Sequence, residues 1–166
     1  MTLSTDVYVG IGSNMGDRLE NLKSAVIRLK DISRSIEFSR VYESRARGFT
    51  IQPEFLNAVC KLSTYLSPWD LLKQTKIIEQ DFGKSKAFPN APRPIDIDII
   101  LWGRVRIKTT HLEIPHPRFN ERAFVLSPLL DLNPFITEPG TKKRVDSYLN
   151  LLNGENTAKS LGALLI

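Results

Sequence analysis

The segment Arg93-Pro94-Ile95-Asp96-Ile97-Asp98-Ile99-Ile100-Leu101 constrains this chain more than any other stretch, because it sets two carboxylates into an isoleucine-rich run. Side chains alternate across a strand, so Asp96 and Asp98 share one face while Ile95, Ile97 and Ile99 share the other. A sheet built on this strand must bury one face and carry acids on the other. At that spacing the two Cα atoms lie about 6.5–7 Å apart, within reach of one metal ion or of two ions about 3.5–4 Å apart. Oxygen-only ligands suit a hard cation such as Mg²⁺, which completes its shell with water and phosphate oxygens. Asp-x-Asp alone is also a common solvated pair on a sheet surface. Arg93, three residues ahead in a proline-fixed approach, adds the cation that a polyphosphate site needs.

The rest of the chain supplies elements around that strand. Val7 to Ile11 reads as a strand, followed by the turn-rich Gly12-Ser13-Asn14-Met15-Gly16. Asp17 can cap a helix on which Leu19, Leu22, Val26 and Leu29 recur at helical spacing. Ile36 to Tyr42 and Phe55 to Thr64 read as strands, joined by the long polar loop 43–54. Ser67, Pro68 and Asp70 open a second helix, lined by Leu71, Thr75, Ile78 and Phe82 and ended by Gly83. A basic connection, residues 84–90, leads into the acid-bearing strand, after which Val105 to Lys108 is expected to complete a hairpin. Asn120 to Leu130 and Arg144 to Leu152 have helical character, and 154–166 reads as a loose C-terminal tail of a single domain spanning 1–166. The order β-α-β-β-α-β implies an α+β, ferredoxin-like sandwich: a mixed or antiparallel sheet with helices on one face and the other left for ligand.

Composition narrows the function classes. With 42% hydrophobic and 25% charged residues the chain is neither disordered nor membrane-spanning, and a cytoplasmic location is expected because Met1 to Asp6 lacks the features of a signal peptide. A single cysteine, Cys60, excludes an internal disulfide, and two histidines, His111 and His116, cannot build a structural zinc site. The formal charge of +5 fits a polyanionic ligand, nucleotide or nucleic acid alike.

An ordered set of motifs decides further. Arg93-x-x-Asp96-x-Asp98, Gly12-Ser13-Asn14, Phe55-Leu56-Asn57-Ala58, Glu79, and Ile114-Pro115-His116-Pro117-Arg118 with Arg122 and Phe124 stand in sequence along the chain. From Val7 to about Pro134 the chain resembles the 6-hydroxymethyl-7,8-dihydropterin pyrophosphokinases of folate biosynthesis. The resemblance implies that ATP, as co-substrate, donates its β,γ-pyrophosphoryl group to the pterin hydroxymethyl oxygen and leaves as AMP. It implies two Mg²⁺ ions on Asp96 and Asp98, with Arg93 and Lys84 completing the catalytic set. Glu79, Lys84, Arg93, His116 and Arg122 fall on ATP-side positions, and Ser44, Phe55, Asn57 and Phe124 on pterin-side ones. No nucleic acid or membrane partner is implied, and a monomer is favoured.

The chain departs from the family pattern at Ser44-Arg45-Ala46-Arg47-Gly48, where Arg45 and Arg47 replace apolar or rigid residues. Lys84 and Lys86 replace two arginines and cannot form arginine's bidentate fork, and Pro89-Asn90-Ala91 replaces a basic-aromatic-glycine lead-in. Two other functions compete: a pterin- or nucleotide-binding relative without catalysis, and an RNA-binding ferredoxin-like domain, which would need basic and aromatic residues where Asp96 and Asp98 stand. Residues 44–54 and 84–90, rich in cations without acidic neighbours, are expected to be mobile and to close over bound phosphates.

Overall fold

Strand β1 (Thr5–Ser13) lies between β4 (Phe55–Thr64) and β5 (Asp96–Trp102) and is antiparallel to both. This computed structural model describes residues 5–48, 51–83, 88–152, 154 and 156–166. Beyond β4 the sheet continues through β3 (Val41–Ser44) to β8 (Lys159–Gly162), while β2 (Ser35–Phe38) pairs with the other half of β4. Every pairing in this six-stranded sheet is antiparallel.

Two helices cover one face. α1 (Arg18–Asp31) starts where Asp17 accepts a hydrogen bond from the Glu20 N–H, and α2 (Pro68–Asp81) where Ser67 accepts one from the Asp70 N–H. Leu22, Ala25, Val26 and Leu29 of α1 and Leu71 and Ile78 of α2 pack on Val7, Val9 and Ile11, on Leu56, Ala58, Cys60 and Leu62, and on Ile97 and Ile99. Leu22, Leu29, Leu62 and Leu71 are completely buried, each contributing about 1.5–3 kcal/mol of hydrophobic stabilisation. The alternation in β5 thus works as the sequence requires, with isoleucines inward and Asp96 and Asp98 on the far face.

That far face is shared. A bulge at Ile100 turns both Ile100 and Leu101 onto it, where they join Tyr8 and Val59. A 3₁₀ turn (Phe119–Glu121), α3 (Ala123–Leu132) and α4 (Val145–Leu149) cover this half with Phe119, Val125, Leu126, Leu129 and Val145. The remaining half stays open beside Gly10, Gly12, Asp96 and Asp98. Among the described residues no helix is long and apolar enough to cross a membrane.

Three expectations are corrected. The strand expected over Ile36 to Tyr42 is broken at Ser39, whose N–H donates to the Val59 carbonyl while its Oγ accepts from the Val59 N–H. The segment after Trp102 does not pair with β5; β6 (Ile107–Lys108) pairs instead with β7 (Glu113–Ile114) in a separate two-stranded ribbon. The tail is not loose: β8 covers the otherwise unpaired edge of β3, Leu164 is buried in the core, and Asn156 caps α3.

Candidate active site

Two glycines make room for the site. Gly10 pairs with Asp98, and Gly12 stands between Asp96 on one side and Asn57 on the other. A Cβ on Gly12 would come within 3.0 Å of Asn57 Oδ1 and 3.5 Å of the Phe55 ring. Without side chains there, the sheet surface sinks into a trough, and a cavity of about 270 Å³ opens over it. Its walls include Ser44, Phe55, Asn57, Arg93, Asp96, Asp98, Arg122 and Phe124, so it gathers eight of the residues singled out from the sequence.

One end of the cavity is ionic. Asp96 accepts a hydrogen bond from Arg93 Nη2 at 3.1 Å, and Arg93 Nη1 donates to the Ala91 carbonyl at 3.0 Å. Asp98 Oδ2 faces Arg122 Nη1 at 3.7 Å and His116 Nε2 at 3.9 Å. Burial, followed by the neighbouring Asp96 charge, pushes the Asp98 carboxyl up to about 6, against the pull of Arg122. Burial and then the adjacent Arg122 and Arg118 charges lower His116 to about 4, so the imidazole is neutral at pH 7. Its Nδ1 accepts from the Arg118 N–H, which leaves the proton on Nε2, aimed at Asp98. Burial also lowers Arg122, which still remains a cation at pH 7.

The other end is flat and polar-edged. Phe55 begins β4, and Phe124 sits in the first turn of α3. Asn57 Nδ2 donates to Ser44 Oγ at 2.9 Å, and both residues are buried, which fixes the amide so that its Oδ1 points towards Gly12. This arrangement offers two aromatic walls and a set hydrogen-bonding edge.

Glu79 lies outside this cavity. Its carboxylate accepts from the Ile97 N–H at 2.8 Å and from Lys76 Nζ at 3.0 Å, closing the outer edge of β5. The Ile100 carbonyl on that same edge takes the His116 N–H, and this contact anchors the histidine segment. Lys84 and Lys86 lie outside the described residues.

The sequence reading missed several supports. Asn14 Oδ1 accepts from the Arg93 N–H at 2.9 Å, and Asn14 Nδ2 donates to Gln52 Oε1 at 2.7 Å; Gln52 Nε2 in turn donates to the Asn90 carbonyl at 3.0 Å. The described parts of the two loops are therefore tied to each other and to Arg93. Asn156 accepts from the Ala123 N–H and donates to the Glu121 carbonyl, supplying the cap that Arg122 cannot give α3. Arg118, Arg45 and Arg47 also line the cavity. The glycines at 10 and 12 were a legible signal, because glycine inside a strand marks a close approach of another group.

An acid pair flanked by arginines stands at one end of the cavity, with two aromatics and a fixed amide at the other, a lining whose chemistry suits an anionic group beside a flat heterocycle. The model of the 7,8-dihydro-6-hydroxymethylpterin-pyrophosphokinases matches residues 8–134. The chain is 38% identical over 159 residues to a 2-amino-4-hydroxy-6-hydroxymethyldihydropteridine pyrophosphokinase of Aquifex aeolicus, covering 96% of this chain and 97% of that protein. It is 45% identical over 153 residues to a folic acid synthesis protein of Dictyostelium discoideum, covering 90% of this chain but 23% of the longer relative. The fold superimposes on a Plasmodium falciparum HPPK-DHPS crystal structure with pterin and p-hydroxybenzoate, with a TM-score of 0.71, 15% identity and coverage of 90% of this chain and 43% of that one. The chain belongs to the 7,8-dihydro-6-hydroxymethylpterin-pyrophosphokinase family.

Proposed function

We propose that the protein transfers the β,γ-pyrophosphoryl group of ATP to the hydroxymethyl oxygen of 6-hydroxymethyl-7,8-dihydropterin, releasing AMP. The observation that carries this reading is a single cavity whose ends differ in chemistry, Asp96, Asp98, Arg93 and Arg122 facing Phe55, Asn57 and Phe124. A transfer between two bound molecules needs both kinds of surface within one enclosure.

The acid pair fits Mg²⁺. It offers only carboxylate oxygens, and among the described residues no group of three His, Cys, Asp or Glu converges, so water and phosphate oxygens must complete the shell. When bound, Mg²⁺ supplies neutralisation of phosphate charge, and we infer two ions held by Asp96 and Asp98.

The chain's own groups do the rest. Arg93 and Arg122 place cations where charge develops on the transferred group. The neutral His116 can donate its Nε2 proton to a phosphate oxygen. Phe55 and Phe124 hold the pterin ring and Asn57 reads its edge, which presents the hydroxymethyl oxygen for in-line attack. Glu79 and Lys84 belong to the ATP side, where Glu79 acts through the β5 edge it closes. The carboxylates on the open sheet disfavour an RNA platform.

The test is AMP release by purified protein with ATP, Mg²⁺ and 6-hydroxymethyl-7,8-dihydropterin. Stoichiometric AMP and pterin diphosphate support the reading. Tight pterin binding without AMP would instead identify a non-catalytic relative.

A further inference from the structure

Among the described residues, two buried side-chain nitrogens lack a hydrogen-bond partner: Nε of Arg93 and Nε of Arg122. The same two guanidinium groups lie over aromatic rings. Arg93 Cζ is 4.9 Å from the Phe55 centroid, and Arg122 Cζ is 5.7 Å from the Phe124 centroid. These are the two rings assigned to the pterin, and all four residues line one cavity. A ring face open to the cavity holds one flat partner at a time, guanidinium or heterocycle.

We propose that, without nucleotide, Arg93 and Arg122 stand in for the pterin on Phe55 and Phe124, so that ATP phosphates uncover the pterin's stacking faces by drawing both guanidinium groups away. This rests on the function proposed above. The two arginines are tethered unequally, and each tether involves a carboxylate that a cation can claim. Arg93 has the Phe55 ring, the Ala91 carbonyl at 3.0 Å and Asp96 at 3.1 Å, while Arg122 has the Phe124 ring and Asp98 at 3.7 Å, too far for a direct hydrogen bond. A phosphate offers a bidentate, charge-assisted pairing that a ring face cannot match, and it gives the orphaned Nε atoms an acceptor. A divalent cation on Asp96 and Asp98 removes the carboxylate tethers in the same event. Nucleotide and pterin then favour each other although they touch different surfaces, and the coupling is reciprocal.

The consequence runs against intuition. Deleting a phosphate-binding arginine should improve pterin binding when no nucleotide is present. The experiment is calorimetric titration of 6-hydroxymethyl-7,8-dihydropterin into wild type, Arg93→Ala, Arg122→Ala and the double variant, each with and without Mg²⁺ and a non-hydrolysable ATP analogue. In the wild type the analogue should tighten pterin binding about tenfold. In the nucleotide-free variants pterin affinity should rise about 3–10-fold, and the effect of the analogue should shrink to about twofold or less. A damaged fold cannot produce a gain in affinity, so the direction itself discriminates. If the wild type shows the coupling but both variants bind the pterin no better, the stand-in role is overturned while the pyrophosphokinase reading survives. If the wild type binds no pterin even with the analogue, the pterin assignment falls and the stand-in role falls with it.

Discussion

The two faces of β1, β4 and β5 are built from the same strands and obey opposite rules. On the covered face Val9, Cys60 and Ile97 meet α1 and α2 in a continuous apolar layer. On the other, Gly10, Gly12, Asn57, Asp96 and Asp98 leave a trough whose side chains are held by hydrogen bonds and charge. One face therefore carries the packed core and the other the groups to which the proposed chemistry is assigned, and a substitution should report which face it strikes.

The largest effect is expected on the open face. Asp96→Ala and Asp98→Ala should each cut turnover by about 10²–10³, or about 3–4 kcal/mol of transition-state stabilisation, with the circular dichroism spectrum unchanged. Near-normal turnover at saturating Mg²⁺ would break the comparison at its centre. The covered face should answer in the opposite way. Leu62, completely buried beneath the helices, should cost about 2–4 kcal/mol of unfolding free energy as Leu62→Ala, while the AMP release of the folded fraction stays near wild type. Denaturant unfolding measures the first quantity and a rate per folded molecule the second.

How much was legible follows the same division. The covered face obeys simple periods, so α1, α2 and the inward isoleucines of β5 could be read directly from residue spacing. The acid pair was legible for the same reason, since alternation assigns it a side. What was not legible comes from contacts between distant segments. Asn156 caps α3 from 33 residues beyond Ala123, and no local pattern announces that partner. Asn14, Gln52 and Asn90 form their tie across three loops, through the side chains of Asn14 and Gln52 and the backbone carbonyl of Asn90, and each residue looks like ordinary turn polarity by itself. The break at Ser39 likewise depends on Val59, a residue on another strand.

A smaller effect sharpens the open face from within. Phe124→Ala should weaken pterin binding by about 1–3 kcal/mol with nucleotide bound, and leave the affinity for an ATP analogue nearly unchanged. Asn57→Ala should do the same, because it removes the hydrogen bonds that read the ring edge. Equal losses for both ligands in calorimetry would mean that the two ends of the cavity are not separable.

The smallest expected effect concerns what the open face costs the protein before ligands arrive. Asp98 has its folded-state carboxyl pushed up to about 6 from an ordinary value of 3.8, chiefly by burial. A carboxyl that binds its proton more tightly when folded favours the folded state below pH 4, and that contribution is lost as pH rises through about 6. At pH 8 the metal-free protein therefore carries an ionised Asp98 that opposes folding. A third of the side chain stays open to solvent, so screening limits the effect to about 1 kcal/mol. Asp98→Asn should accordingly raise the melting temperature of the metal-free protein by about 2–4 °C at pH 8 and leave it unchanged near pH 4. The same variant should lose most of the stabilisation that Mg²⁺ gives the wild type at pH 8, since a ligand for the cation is gone. A variant less stable than wild type at pH 8 would show instead that Asp98 is held by its arginine and histidine neighbours as a structural ion, and the division between the two faces would no longer hold at this residue.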